Sequence, residues 1–408
     1  MTNQRGRVLF VSHESTRTGA PLVLLNLLRW LRANSRVEFD VLLQRSDGAL
    51  TGEFEKVSEV FKLDKIILGS PSTAYGLRRY ITQSRDRVRT RLFREHLRQR
   101  RYALVYVNTV TVGNLLDFLR QLGCPIVSHV HELQFQMQHF LSVTDRKRLQ
   151  DYVSHFVACS MAVRDELQAN LGIDPRRISV FHSFIPCAEL VDSVTSDVAA
   201  HWREMQNIPS TAAVIGAVGT RSWAKGTDLF IQLAKIVCDR ATAGDPYFVW
   251  VGSDAGPFEA RRLAHDLDRL GAGYRIKFVP HTDNPAAAFS AMDILVMTSR
   301  EESFPLVMLE AAAFGRPVLC FDRTGGAPEF VQNDAGFVLP YLDLYAMAGK
   351  IALLLGDRTL AIQLGRQGAA KVIREFDVSV IAPKIAALVE RLVEDGLEAD
   401  TQVQIGVT

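Results

Sequence analysis

The sequence contains no apolar run near the roughly 20 residues needed to span a bilayer, so no segment of it reads as a transmembrane helix. It is also poor in cysteine. Cys124, Cys159, Cys187, Cys238 and Cys320 are odd in number, far apart and without metal-ligand spacing, which reads as reduced thiols rather than a disulfide frame or a zinc site. No Gly-x-Gly-x-x-Gly occurs, so a bound dinucleotide is not expected. The only Asp-x-Asp, Asp266-Leu267-Asp268, falls inside the helical pattern "EARRLAHDLDRLG" and reads as a solvent face, not a metal–nucleotide site. Net charge is nearly absent too: 47 basic against 45 acidic residues leave +2, which argues against a surface built throughout for nucleic acid. The N-terminus, "MTNQRGRVLFVSHES", returns to polar residues after a short apolar run, which suits a buried first strand rather than a signal peptide. A cytoplasmic protein, soluble or peripheral, is the expectation.

What is present is alternation. Short apolar runs at 8–12, 39–43, 103–107, 125–129 and 155–159, and again at 213–219, 247–252, 275–279, 293–298 and 317–321, are separated by longer amphipathic stretches. Strand–helix alternation predicts parallel sheets, and 408 residues with 48% hydrophobic content suffice for two α/β domains. The polar stretch 186–211 reads as a linker with one helix, placing the domain boundary near residue 190. Three helical patterns, at 341–355, 359–375 and 378–394, precede a polar tail.

The most informative stretch is "SREESFPLVMLEAAAFGRPVL". Glu302 and Glu310, with seven residues between them, flank Ser303, Phe304, Pro305 and Leu306. Pro305 can open a helix whose free amides form an anion cradle beside Glu302, with Glu310 carried on the helix itself. A carboxylate within the apolar run from Leu306 to Ala313 is costly to bury unless donors reach it, and sugar or ribose hydroxyls are natural donors. The plainer alternative is that Glu310 caps a neighbouring backbone group.

The block "AMDILVMTSREESFPLVMLEAAAFGRPVLCFDRTGGAPEFV" resembles the nucleotide-sugar site of retaining glycosyltransferases of the GT-B fold, group 1 or family 4-like. The paired glutamates are followed in the family's order by Gly315, Pro317-Val318, Gly325-Gly326 and Pro328-Glu329. The resemblance implies an α/β GT-B fold of two facing doubly wound Rossmann-like domains with an interdomain cleft. The first, 1–190, would bind the acceptor; the second, 191–377, would bind the donor; a final helix, 378–396, would pack back on the first.

It also implies roles. Glu310 would hold the ribose, Glu302 the donor sugar, and the amides from Ser303 to Leu306 the diphosphate. In "AVGTRSWAKGTD", Lys225 before Gly226 matches the family's diphosphate lysine, while Arg221 stands out of the usual register because Thr220 follows the strand-end glycine. Both are catalytic candidates, since a departing nucleoside diphosphate needs cations or oriented N–H groups; loop-tip basic residues are otherwise solvated decoration. His131, paired with Glu132 in "PIVSHVHELQF", matches the His-acid pair beside the donor sugar, a satisfied core histidine being the alternative. Gly19 opens a helix after the first strand, where backbone can approach phosphate; a simple tight turn is the rival reading. Gly252 and His281, with Asp283, are further donor-side candidates, and Asn108 and Ser160 are acceptor-side candidates. No metal is expected, and the co-substrate would be a UDP- or GDP-sugar.

From Arg78 to Arg101 there are ten arginines against Asp86 and Glu95, interleaved with Val88, Leu92 and other apolar residues. This pattern suits an interfacial helix on anionic lipid. RNA binding and a plain solvated face are the rivals. The main expectation is transfer of a sugar to a lipid-linked saccharide at the inner face of the cytoplasmic membrane, without nucleic-acid partners. A non-catalytic glycan- or nucleotide-binding scaffold, or a phosphorylase or epimerase on the same fold, remain open because fold does not fix reaction.

Overall fold

A computed structural model describes residues 6–66, 77–195, 197–240, 246–271, 275–282 and 285–405, with side chains described outside 77–87 and 396–405. Two compact units are present, Met1–Phe181 with Ile381–Thr408, and His182–Val380.

The first unit holds a seven-stranded sheet in the order β3-β2-β1-β4-β5-β6-β7. Its strands are β1 (Arg7–Ser12), β2 (Phe39–Leu43), β3 (Glu59–Lys62), β4 (Tyr102–Val107), β5 (Ile126–Val130), β6 (His155–Ala158) and β7 (Ile178–Val180). All pairings are parallel. A parallel strand covered by helices on both faces must be apolar at every position, and Val8, Leu9, Phe10 and Val11 at the centre are indeed fully buried. The Val378–Ile405 helix lays Ile385, Leu388 and Val389 into the core of this unit.

The second unit has a six-stranded parallel sheet, β10-β9-β8-β11-β12-β13. Its strands are β8 (Val214–Val218), β9 (Tyr247–Val251), β10 (Ile276–Val279), β11 (Ile294–Met297), β12 (Val318–Phe321) and β13 (Gly336–Leu339). The stretch read as a linker with one helix carries two, Cys187–Asp192 and Val198–Met205. Their contacts fix them to this unit: the Cys187 amide donates to Asp377 at 2.9 Å, and Arg203 donates to the Ala291 carbonyl and Asp293.

Strand order reverses between β1 and β4 in the first sheet and between β8 and β11 in the second. Loops leaving the carboxyl ends at such a reversal diverge to opposite faces and leave a crevice, the position where open α/β sheets bind ligands.

Candidate active site

At the β8/β11 reversal the loop after β8 is laced to the end of β11. The Thr298 hydroxyl donates to the Gly226 carbonyl at 2.8 Å, the Arg300 amide to the Ala224 carbonyl at 2.8 Å, and the Arg300 guanidinium to the Trp223 carbonyl at 2.7 Å. Gly226 has φ +69°, and a Cβ there would lie 1.9 Å from the Thr298 carbonyl oxygen. Gly226→Ala should therefore destabilise the protein by about 2–4 kcal/mol, from backbone strain plus a clash with unyielding main chain, measured by denaturant or thermal unfolding. A stability within about 0.5 kcal/mol of wild type, the scatter of surface substitutions, would contradict this close approach.

That lacing aims Lys225 at Glu302. The ammonium donates to Glu302 Oε1 at 2.5 Å, and the Ser299 hydroxyl donates to the same oxygen at 2.9 Å. Glu302 is buried and its backbone is fixed: its amide donates to the Thr324 carbonyl at 2.7 Å, and its carbonyl accepts from the Gly326 amide at 2.9 Å. The Gly-Gly step thus holds the first glutamate in place, and Ser303 shares the same clamp through its carbonyl, which accepts from Gly326 at 3.1 Å.

Pro305 caps the Leu306–Ala313 helix without any side-chain hydrogen bond, and among the described residues no side chain claims the amides of its first turn. Phe304 is buried between His182 and Phe376, at ring distances of 4.8 and 5.5 Å. It anchors the turn from inside rather than lining a ligand surface. Glu310 is half-buried, burial raises its carboxyl to about 7, and among the described residues no group donates to it. An acid so placed, partly open to solvent and without a protein donor, can accept from the hydroxyls of a ligand.

Arg221 lies elsewhere. Its guanidinium is buried, donates to both carboxylate oxygens of Asp254 at 2.7 and 3.1 Å, and lies over the Phe278 ring at 5.2 Å. The hydrogen bonds from Arg221 in turn hold Asp254 below its usual range. This cation ties the loops after β8 and β9 together and is not free at the Lys225 corner. Gly252 has a structural reason of its own, since at φ +150° a Cβ would meet the Gly219 carbonyl oxygen at 2.0 Å. His281 is exposed at the end of β10, two strands from the reversal, and Asp283 lies outside the described residues.

In the first unit, the β1/β4 reversal gathers Gly19, Asn108 and His131. Buried Asn108 donates its amide to the Ala20 carbonyl at 2.8 Å, so its Oδ1 accepts from His131 Nε2 at 3.1 Å. This assigns the Nε2–H tautomer and leaves Nδ1 with a lone pair. Burial pulls His131 down to about 3, so the ring is neutral at physiological pH. Behind it packs His129, its ring tilted by 37° with centroids 4.1 Å apart, bonded through Nδ1 to the Tyr106 hydroxyl at 2.9 Å. Space around the Gly19 α-carbon is open. Ser160 is not part of this group: its hydroxyl oxygen accepts from the Val163 amide at 3.1 Å and caps the Met161–Leu171 helix.

Several supporting residues escape a reading of the sequence alone. Glu132 points away from any ligand role, its buried carboxylate accepting from the Thr109 hydroxyl and from the amides of Val110 and His131. Thr109 adopts φ +145°, a conformation that side-chain-bearing residues avoid, and Glu132 holds it there beside Asn108. Glu14, after β1, is drawn down to about 2, first by the hydrogen bond from His13 and then by Thr16 and Arg45. Ser299 and Asp254 could have been suspected as polar residues immediately past strand ends. Their partners could not.

The amino-terminal half, residues 17–189, matches the model of the Glycosyltransferase Family 4 family, and residues 199–371 match that of Glycosyl transferases group 1. Over 234 residues the chain is 28% identical to the D-inositol 3-phosphate glycosyltransferase of Jonesia denitrificans, covering 55% of this chain and 54% of that protein. It is 31% identical over 186 residues to the lipopolysaccharide core biosynthesis mannosyltransferase LpsB of Rhizobium meliloti, covering 44% and 51%. The chain thus spans about half the length of these curated relatives. Among solved structures, Anabaena HepE in complex with UDP and glucose superposes with a TM-score of 0.77 at 21% identity, over 95% of this chain and 100% of that one, a likeness of fold.

Proposed function

The chain belongs to the group 1 glycosyltransferases, and from that premise we propose that it moves a sugar, with retention of anomeric configuration, from a UDP- or GDP-sugar to a hydroxyl of a lipid-linked or cell-surface polysaccharide precursor. The observation that carries this reading is the Lys225–Glu302 pair at the β8/β11 reversal, beside the uncapped helix that carries Glu310. In this assignment Glu310 accepts the ribose hydroxyls, which take the place of solvent at its half-buried carboxyl. Lys225 leaves Glu302 for the diphosphate. Glu302 then becomes free to accept sugar hydroxyls.

Cleavage of the sugar–phosphate bond places negative charge on the departing phosphate, where a fixed ammonium and the first-turn amides of the Leu306–Ala313 helix stabilise it more than they stabilise the ground state. The departing phosphate oxygen takes the acceptor hydroxyl's proton as the new bond forms on the same face. No side-chain base is required, and no metal is assigned a step. His131, neutral and fixed by Asn108 in the first unit, keeps an Nδ1 lone pair that can accept from a ligand hydroxyl, an acceptor role that a charged imidazolium would lose. Arg221 is assigned to holding loops through Asp254, leaving the diphosphate charge to Lys225.

The curated relatives that act in lipopolysaccharide and capsule synthesis, and the UDP bound to the Anabaena protein, support a nucleotide-sugar donor and a polysaccharide-type acceptor. The direct test incubates the purified protein with a panel of UDP- and GDP-sugars without acceptor and reads released nucleoside diphosphate by mass spectrometry. Slow hydrolysis of one donor is expected, and proton NMR of the freed sugar should show the donor's anomer first. A protein that neither binds nor turns over any of them would end the transfer reading.

A further inference from the structure

From Val88 onward the Leu77–Gln99 helix divides its side chains between two faces. Phe93 and Leu97 are buried, Phe93 against Phe61 and Phe118 at 5.8 and 6.1 Å, and fix the helix to the sheet. Val88 and Leu92 face solvent, 57% and 64% exposed. Arg89 and Arg91 are exposed with them, and Arg94 is half-buried at the edge of the buried seam. Arg98 pairs with Glu95 and Arg100 with Glu59 and Asp40, but Arg89, Arg91 and Arg94 have no ion-pair partner among the described residues.

The β3→β4, β4→β5 and β5→β6 connections all step the same way across the sheet, so right-handed crossovers place their helices on one face. Phe93 joins the arginine-rich helix to the Leu116–Leu119 helix through Phe118, and Arg148 joins that helix to Val143–Tyr152 through Asp117 at 2.5 Å. Val143, the first residue of that last helix, and Phe140, the last residue of the preceding Gln134–Phe140 helix, form an apolar projection, 85% and 53% exposed. The layer's described acids are already matched: Glu95 by Arg98, Asp117 and Asp145 by Arg148, and Asp151 by Lys147. Its surplus charge is positive, and four large apolar side chains stand beside it.

We infer that this helical layer is a docking face for an anionic membrane surface, with Arg89, Arg91 and Arg94 on lipid phosphates and Val88, Leu92, Phe140 and Val143 in the headgroup–acyl boundary. Charge complementarity selects the partner, because unpaired arginines gain phosphate contacts that solvent-exposed apolar residues alone could not direct. Bases of single-stranded RNA would need an aromatic stacking surface among the arginines, and the described outward face of the arginine-rich helix offers Val88 and Leu92 instead. The inference deepens the transfer reading, since a lipid-linked acceptor is met at a membrane, but its test does not depend on turnover.

The full-length protein is sedimented with vesicles of about 70% phosphatidylcholine and 30% phosphatidylglycerol, and with phosphatidylcholine alone, at low and high salt. Binding only to the anionic vesicles is expected, weakening steeply as salt rises. The triple variant R89Q/R91Q/R94Q should lose about a hundredfold in partition coefficient, each unpaired cation contributing several-fold. The double variant F140S/V143S should lose about tenfold, and what remains should be fully released by salt. All of the altered side chains are solvent-facing or half-buried, and unchanged UDP binding by calorimetry in these variants would separate a docking defect from a failed transfer reading. No sedimentation of the wild type, undiminished partition of the triple variant, or arginine-dependent binding to poly(U) without vesicle binding would each overturn the inference.

Discussion

Lys225→Ala is expected to lower donor turnover by about 10²–10³-fold, the loss that follows removal of one fixed donor aimed at developing negative charge. The ammonium is the only cation that the loop after β8 delivers to this corner, because Arg221 is held by Asp254. Removing it also leaves the buried Glu302 carboxylate with Ser299 as its single side-chain partner among the described residues, a cost to folding of up to a few kcal/mol. Turnover therefore has to be measured on protein shown to be folded, with calorimetry for nucleoside diphosphate affinity alongside steady-state hydrolysis of the donor. Because the charge on the leaving phosphate grows toward the transition state, kcat should fall more than donor affinity. Activity within about threefold of wild type would remove Lys225 from the chemistry.

Glu310→Gln should weaken donor binding about 10–100-fold, since hydrogen bonds to an ionised acceptor contribute roughly 1.5–3 kcal/mol. The raised carboxyl gives this site a pH signature. Below about 7 Glu310 holds its proton and is a poorer acceptor, so wild-type donor affinity should strengthen from about pH 6 to about pH 8 and the glutamine variant's should stay flat. Stability runs the other way. The folded-state value lies above the ordinary 4.5, so the carboxyl's favourable contribution is complete below 4.5 and lost as pH rises through about 7. At about pH 8 the empty glutamine variant should be more stable than wild type by on the order of 1–3 kcal/mol, and at about pH 5 the gap should shrink. A 2′,3′-dideoxy nucleoside diphosphate that binds the wild type and the Glu310→Gln variant equally, while the ribose form discriminates them, would place the effect at the sugar hydroxyls. If all ligands lose affinity alike, Glu310 serves the helix rather than the ribose.

The strands at the centre of both sheets are legible in the sequence because a parallel strand under helices on both faces is apolar throughout, and such runs stand out against their surroundings. β3, β7 and β13 are not. Each lies at an edge of its sheet and is only three or four residues long, with half-exposed positions, so its sequence carries little signal. The second helix within 186–211 is hidden because it is only eight residues long and buries a single side chain, Trp202, so its pattern runs for only about two turns. Gly252 reads in the sequence as a ligand-facing glycine, but its need for the absence of a side chain arises from the Gly219 backbone, a contact between strand ends distant in sequence.

By itself the sequence determined the alternation of strand and helix, the two parallel sheets, and the ordered motif from Glu302 to Glu329 that resembles a nucleotide-sugar site. These are local properties, since burial pattern and motif spacing are written along the chain. Only the tertiary structure decided which cation reaches Glu302, that Arg221 belongs to Asp254, that Asn108 fixes the tautomer of His131, and that Phe304 is an anchor in the core. Each of those is a pairing between side chains brought together by strand order. Spacing along a chain does not encode which partner a charged or polar group finds, because that depends on distance, burial and competition among all the groups the fold gathers at one sheet edge.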